Sequence, residues 1–444
     1  MNNYSENFWH PMAHPNEIKS RDPVHIMSGD GVYITDDKGR KLLDCNSGGL
    51  SCVTIGHNRS EIKDAIKQQL DELVFYQLFD GISHPRATEL AKKLIEMTAP
   101  ENMARAFFTC GGSDSVEAAL RLARQYHVLN GEPMRKKFIS LKKGYHGTHF
   151  GASSINGMDA GICRAPYEPL LGGCINIDAP WLYSNPWYCK DPEQLVNHCI
   201  DQLVSEIEFH SAGTIAAMIA EPVLGGSVIV PPANYWPRLR EVCDHYGILL
   251  IADEVMTGFG RSGSMFGSRG WGVAPDMMTF AKGISSGYFP LGAVMLNKRI
   301  EQAWDTNHDA NGLISTGVTY SGHPVGCAAG LASLAITEAE NLPENARVQG
   351  NYLLEKLGGI IDQFESVSDV RGKGLMLVLE LSDRGSPELN QNFGRKLATV
   401  ARDNGIMIRP YGGRIMLSPP LVFTTAHCDQ LLAALAKSFD ELGG

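Results

Sequence analysis

LLIADEVMTGFGRSG, residues 249–263, is the stretch that decides the fold. An apolar run ends in two carboxylates, Asp253 and Glu254, and the chain then turns through glycines. Residues 275–294, PDMMTFAKGISSGYFPLGAV, repeat the form: an apolar run, then Lys282, then a Gly/Ser turn. Further short apolar runs stand at 137–141, 215–221 and 291–296, with helical patterns at 113–128 and 193–209. Short, uniformly apolar runs alternating with helices belong to a parallel sheet buried on both faces, an α/β fold. Such sheets bind ligands at the carboxyl ends of their strands. Asp253 and Lys282 are therefore expected at one edge, on neighbouring strands.

The rest of the chain fits around that sheet. Residues 60–73 and 84–97 have helical spacing, and 105–109 read as a strand. GVYITDDKGRKLLDC, residues 31–45, alternates apolar and polar positions on both sides of Asp-Lys-Gly, as a β-hairpin does. The first 30 residues, with Pro11, Pro15 and Pro23, read as irregular. After Pro324 the pattern shifts. Helices at 325–338 and 345–364 precede strands at 367–370 and 375–381, then a helix, a hairpin around Gly412-Gly413 and a final helix. We expect an N-terminal segment (1–55), a large domain (56–323) and a smaller α+β domain (324–444). Chain ends often lie close together, so the N-terminal hairpin should join the small domain.

Composition removes several function classes. The 444 residues carry 39 basic and 49 acidic side chains, a net charge of −10, which disfavours nucleic-acid and anionic-membrane partners. No stretch approaches the ~18–20 apolar residues that span a bilayer. The start, MNNYSENFWHPMAHPNE, lacks the basic and apolar regions of a signal peptide. Ten cysteines lie scattered without CxxC pairs, which points to a reducing cytoplasm.

Two carboxylates at a strand end can hold magnesium, but the phosphate loop GxxxxGK[ST] is absent. Gly258, Gly260 and Gly263 spell GxGxxG, yet no amphipathic helix follows them. A strand-end lysine beside a strand-end carboxylate suits a different chemistry. The amine can condense with the carbonyl of pyridoxal phosphate, and the carboxylate can keep the pyridine nitrogen protonated. Gly112 and Ser113 stand at the mouth of the 113–128 helix, where free N–H groups and the helix dipole favour a phosphate. Tyr145, in KKGYHGTH (142–149), is placed to stack on a pyridine ring, with His146 beside it. His146 and His149 lack the further ligands that zinc needs, so no metal is expected.

These segments resemble the class III, ω-type, pyridoxal-phosphate aminotransferases of fold type I. The run from Leu250 through Asp253-Glu254, Asp276 and Lys282 to Gly287 matches the family signature. The likeness extends from the hairpin near Gly31 to the final helix. It implies a large domain with a mostly parallel seven-stranded sheet between helices, and a small domain built from both chain ends. It also implies roles. Lys282 carries the cofactor and moves the substrate proton. Asp253 pairs with the pyridine nitrogen, and Val255 and Tyr145 flank the ring. Gly112 and Ser113 bind the phosphate, with His146 among the cofactor residues. Glu221, in AEPVLGG, matches the Glu of the family's EPxQG segment. Thr319, in GVTYSGHP, matches a threonine that reaches the neighbouring subunit's phosphate, so a homodimer or larger assembly is implied.

IMIRPYGGRIMLSPPL, residues 406–421, bears on the substrate. Ornithine- and 4-aminobutyrate-type members carry an arginine where this chain has Met416. Amine–pyruvate members carry one where Arg409 stands. An arginine fork holds a carboxylate, so pyruvate or a similar oxo acid is the expected acceptor. Three features depart from that subgroup: Ser51 replaces a pocket tryptophan, Leu224 replaces Gln, and Arg414 adds a second cation. They suit an amine with an acidic head, such as taurine, β-alanine or an aminoalkylphosphonate. Leu50, Phe79 and Trp187 are candidate pocket walls. The alternative is a lyase on the same scaffold, eliminating ammonia or phosphate from a small amino compound.

Overall fold

The computed structural model describes residues 7–19, 24–158 and 164–443. Its central sheet has seven strands. In spatial order they are Met103–Thr109, Gly292–Asn297, Met277–Phe280, Leu249–Asp253, Ile215–Ala220, Lys137–Leu141 and Cys174–Ile177. From Met277–Phe280 to Cys174–Ile177 all neighbours pair in parallel. Gly292–Asn297 runs antiparallel to both of its neighbours. Met103–Thr109, beyond it, therefore points with the parallel set, and those carboxyl ends share one edge.

The burial pattern explains the apolar runs. Every residue of Ile215–Ala220, Leu249–Asp253 and Met277–Phe280 is buried. Alternate residues face opposite sides, as the strand period of two requires. Ala217, Ile219, Leu249 and Ile251 pack with Val116, Ala119, Leu120 and Ala123 of the helix Gly112–Leu129. Met218, Leu250 and Ala252 pack with Leu195, Cys199 and Leu203 of Pro192–His210 and with Leu239 of Tyr235–Tyr246. Two elements here were not read from the sequence: the helix Tyr235–Tyr246 and the edge strand Cys174–Ile177. That strand is mostly half-buried, so it lacks the solid apolar run of its neighbours.

The small domain holds an antiparallel sheet in the order Val367–Gly372, Leu377–Leu381, Arg414–Leu417, Arg409–Tyr411. A further sheet joins Ile26–Asp30, Tyr33–Asp36 and Lys41–Asp44 to Ile406–Met407, which lies parallel to Lys41–Asp44. Val32 and Leu43 share one core with Leu397, Ile406, Leu431 and Phe439, so the two ends of the chain fold together. Helix Pro324–Ala339 packs against Ser60–Glu72 and Pro85–Met97. It sends Cys327 and Leu334 into one core and Ala329 and Ile336 into the small domain's. The irregular reading of the first 30 residues needs correction: Pro15–Lys19 is a short helix and Ile26–Asp30 a strand, which pairs with Tyr33–Asp36. Residues 1–6 and 20–23, with Pro23, lie outside the described residues. Among the described residues, no helix is long and apolar enough to cross a membrane.

Candidate active site

The parallel register places Asp253 beside Thr279. Asp253 is buried, and donors hold its carboxylate from three directions. Thr279 Oγ1 donates to Oδ1 at 2.9 Å, the Val255 N–H to the same oxygen at 3.2 Å, and His146 Nδ1 lies 2.7 Å from Oδ2. Burial pulls the His146 imidazole downward. Its hydrogen bond to Asp253 and the charges of Asp253 and Glu221 outweigh that and leave it above its ordinary value. The short contact from Nδ1 to Oδ2 fixes the plane of the Asp253 carboxylate.

Glu254 goes elsewhere. It is fully buried and accepts from Thr257 Oγ1 (2.5 Å), Gly267 N (2.8 Å) and Ser268 N (2.7 Å). It anchors the glycine-rich turn and does not converge with Asp253. Among the described residues, no group of His, Cys, Asp and Glu is arranged to hold a metal ion.

Lys282 follows the next strand, in a left-handed conformation with φ +46°. Such a conformation is uncommon for a residue with a side chain and recurs where function requires it. Burial pushes its amine below the ordinary lysine value, against the opposing charges of Cys52, Glu221 and Asp253. No hydrogen-bond or ion-pair partner is present for it among the described residues. Glu221 ends the strand on the other side of Leu249–Asp253. Its Oε1 accepts from Tyr145 N at 2.9 Å and its Oε2 from Gly225 N at 2.6 Å. Burial raises it to about 7, with His146 opposing and Asp253 reinforcing the rise.

The helix Gly112–Leu129 opens at the same edge. Its N-cap, Gly111, supplies no side chain, so first-turn N–H groups remain for a ligand. A Cβ on Gly112 would come within 2.9 Å of Val255 Cγ1, so the close approach of these two segments requires glycine. The Thr148 N–H donates to Ser113 Oγ at 3.1 Å, which leaves the hydroxyl proton to donate outward.

This donor set fits pyridoxal phosphate. A buried amine with a lowered pKa suits the carbonyl. A fixed carboxylate suits the pyridinium, and an uncapped helix mouth suits the phosphate. The structure brings together Lys282, Asp253, His146, Tyr145, Glu221, Val255, Gly112 and Ser113. Three residues escaped the sequence reading. Thr279 looks like one more interior strand residue. Asn156 holds the Tyr145–His146 loop by accepting from His146 N at 2.6 Å and donating to Gly147 O at 2.8 Å. Fully buried Arg261 donates to Leu375 O, Pro419 O and Ser47 Oγ, and so ties the glycine-rich turn to the small domain and the N-terminal segment.

The substrate candidates part company. Arg409 is half-buried and pairs with no carboxylate among the described residues. Burial lowers its pKa against the charges of Tyr411, Tyr145 and Cys52, its guanidinium lies 5.6 Å from the Tyr411 ring centroid, and its charge reaches Lys282. Arg414 is not a second free cation. Its Nε donates to Glu380 Oε2 at 2.8 Å, because the two residues sit opposite one another in adjacent strands. Trp187 stacks on His198, with ring centroids 5.3 Å apart, against the helix behind the sheet, so it is no pocket wall. Ser51 is buried in a hydrogen bond to Ser418 Oγ at 2.6 Å. Leu50 and Phe79 are exposed, as is Thr319.

The chain matches the model of the class III aminotransferases over residues 17–439. An amine transaminase of an uncultivated Pseudomonas species, solved in its pyridoxal-phosphate-bound form, superposes with a TM-score of 0.95 at 51% identity. That match covers 98% of this chain and 99% of the other. The putrescine–pyruvate aminotransferase of Pseudomonas aeruginosa is 35% identical over 97% of this chain and 93% of its own length. An ω-aminotransferase of Caulobacter vibrioides is 35% identical over 97% and 96%. The sheet, the strand-end lysine and carboxylate, and these relatives agree: the chain belongs to the class III aminotransferases, of fold type I, and is a pyridoxal-phosphate-dependent ω-aminotransferase.

Proposed function

We propose that the enzyme moves the amino group of a small primary amine to pyruvate or a similar oxo acid, with Arg409 as the carboxylate-binding residue. One observation carries this reading: half-buried Arg409, within electrostatic reach of Lys282 and Tyr145, has no carboxylate partner among the described residues. The putrescine–pyruvate relative, named for its amine and oxo acid, supports the same pairing. The expectation of an acidic-headed donor leaned on Ser51, Leu224 and Arg414, and its one added cation, Arg414, is accounted for by Glu380. An amine without an acidic head is therefore the preferred donor. The lyase alternative leaned on Arg409 and Arg414 together and on the missing tryptophan and Gln; Glu380 removes Arg414 from it, and the relatives are aminotransferases.

When bound, the cofactor supplies an electron sink that makes the C–H bond beside the amine nitrogen acidic. The chain's residues do the rest. Lys282 Nζ, its pKa lowered by burial, takes that proton and returns one when the amino group is handed on. Asp253, held by Thr279 and His146, would hold the cofactor nitrogen with its carboxylate and favour that nitrogen's protonated form. Tyr145 and Val255 confine the ring, and the helix mouth at Gly112–Ser113 takes the phosphate. Arg409 orients the acceptor's carboxylate.

The active unit is proposed to be a homodimer. Phe79, Val318 and Tyr320 are large apolar side chains left exposed near Thr319, Phe79 lying against Gly317. A second copy would cover them and bring Thr319 to a phosphate. The deciding experiment follows nitrogen. Purified holoenzyme receives putrescine, other primary amines, taurine, β-alanine or aminoalkylphosphonates, with and without pyruvate. Alanine formed only with pyruvate and an uncharged-tail or diamine donor is the expected result. Alanine from taurine or phosphonates alone would overturn the donor preference, and ammonia released without an acceptor would overturn the transfer.

A further inference from the structure

The segment that carries Glu221 contains a conformational outlier. Val228 is fully buried with φ +45°, a left-handed backbone that a β-branched residue rarely adopts. It closes a tight turn. Leu224 and Ile229 exchange backbone hydrogen bonds at 3.1 and 3.2 Å, and Gly225 to Val228 form the tip between them. The turn is tied to the centre, because Gly225 N donates to Glu221 Oε2. A Cβ at Gly225 would meet Met256 Sδ at 2.7 Å and that same Glu221 oxygen at 2.9 Å.

The small domain holds the turn in place. Arg371, on the strand Val367–Gly372, spans the domain boundary with its guanidinium. Its Nε donates to Val228 O at 3.0 Å and its Nη2 to Ser227 O at 2.6 Å. On its other side it pairs with Asp369 at 2.5 Å and Glu380 at 2.8 Å. Its Cζ lies 5.1 Å from the Trp181 ring centroid and 5.7 Å from that of Tyr183. The Val228 side chain meanwhile enters an apolar cluster of Val223 with Met376, Val378 and Met416 of the small domain. The left-handed turn is thus fixed from outside by one arginine and by the packing around it.

We propose that Arg371 is a positioning residue for the cofactor centre. By holding the Ser227–Val228 carbonyls it keeps Glu221 seated under Tyr145 and beside His146 and Asp253, so that docking of the small domain sets the cofactor's surroundings. The geometry requires a fork: two adjacent carbonyls are taken by two nitrogens of one planar group, which a lysine cannot reproduce.

Matched variants of the holoenzyme test this. Arg371→Lys keeps the charge facing Asp369 and Glu380 but loses the fork. Arg414→Lys perturbs the same Glu380 and the same Trp181 neighbourhood without touching the turn. The readouts are the visible absorption band of the bound cofactor and the rate at which that band is lost on dilution. Arg371→Lys should shift the band and raise the loss rate roughly 5- to 20-fold, while Arg414→Lys stays within about twofold. Adding Val228→Gly to Arg371→Lys should bring the rate back toward wild type, because glycine takes the left-handed turn without strain. An unchanged band and rate in Arg371→Lys, an equal effect of Arg414→Lys, or no recovery with Val228→Gly would each overturn the proposal. Melting temperatures separate a folding defect from a positioning defect, since a general loss of stability would not be reversed by glycine at one turn.

Discussion

The cofactor edge and the substrate wall of this site are built differently. At the cofactor edge, Asp253, His146 and Glu221 are buried and hydrogen-bonded within the chain. On the proposed substrate side, the candidate wall residues Leu50 and Phe79 face outward and Arg409 has no anionic partner among the described residues. A preorganised half can act on any substrate that reaches it, because its dipoles need no rearrangement at the moment of reaction. An open half leaves selectivity to whatever closes it. On the proposed reading, the chemistry sits at the parallel sheet and the choice of substrate in the segments around it, the Arg409–Tyr411 strand included.

The largest test of that division is Lys282→Ala. It should abolish pyruvate-dependent alanine formation, by more than ~10⁴-fold, while the protein still folds. Near-normal turnover would place the proton transfer elsewhere. Asp253→Asn comes next. It leaves the shape but removes the charge that faces the cofactor and accepts from His146, so kcat should fall roughly 10²–10⁴-fold with little change in the KM of either substrate. A pure KM effect would move Asp253 to the substrate half.

How much of this was visible beforehand follows the same line. Asp253 and Lys282 were legible because each ends its own short apolar run, and the sheet then brings the two strand ends together. Gly112 and Ser113 were legible for the same local reason, at a helix mouth. The fates of Arg414 and Trp187 depend on partners distant in sequence or hidden in helical pattern: Glu380 lies one strand over, and His198 lies on the helix that covers the sheet. A guanidinium written in sequence shows its charge and not its counter-ion. Thr279 was missed because a threonine inside an apolar strand looks like strand propensity; only the register with Asp253 gives it a role.

The acceptor end offers a smaller effect. Arg409→Met should lower kcat/KM for pyruvate roughly 10- to 100-fold, the range expected for loss of a charge-assisted hydrogen bond. The half-reaction with an uncharged amine should change little. Equal losses in both half-reactions would mean that Arg409 supports the cofactor edge instead. Lys282 also leaves a signature in the apoprotein. Its pKa is lowered in the fold, so between that lowered value and the ordinary 10.5 the unfolded chain binds the extra proton. Stability of the apoprotein should therefore rise with pH through that window. Lys282→Met should remove this rise, and its advantage in melting temperature over wild type should shrink from pH 7 toward pH 10.

Arg414→Met should have the least effect on catalysis, and it separates the two cationic candidates most cleanly. Arg414 lies in the same hairpin as Arg409, directly opposite Tyr411, and the sequence, while singling out Arg409, leaves open whether Arg414 joins it. Their surroundings differ. Glu380 takes the Arg414 Nε and also Arg371, and the Arg414 guanidinium lies 5.5 Å from the Trp181 ring centroid. Its charge is therefore spent inside the small domain. Removing it should leave kcat/KM for pyruvate, and for any acidic-headed amine tested, within about twofold of wild type. A modest fall in melting temperature should accompany this, since Glu380 keeps Arg371 as a partner. A tenfold loss confined to acidic-headed amines would put Arg414 back in the pocket, and the substrate wall would then extend across the hairpin to a residue that the folded chain shows already paired.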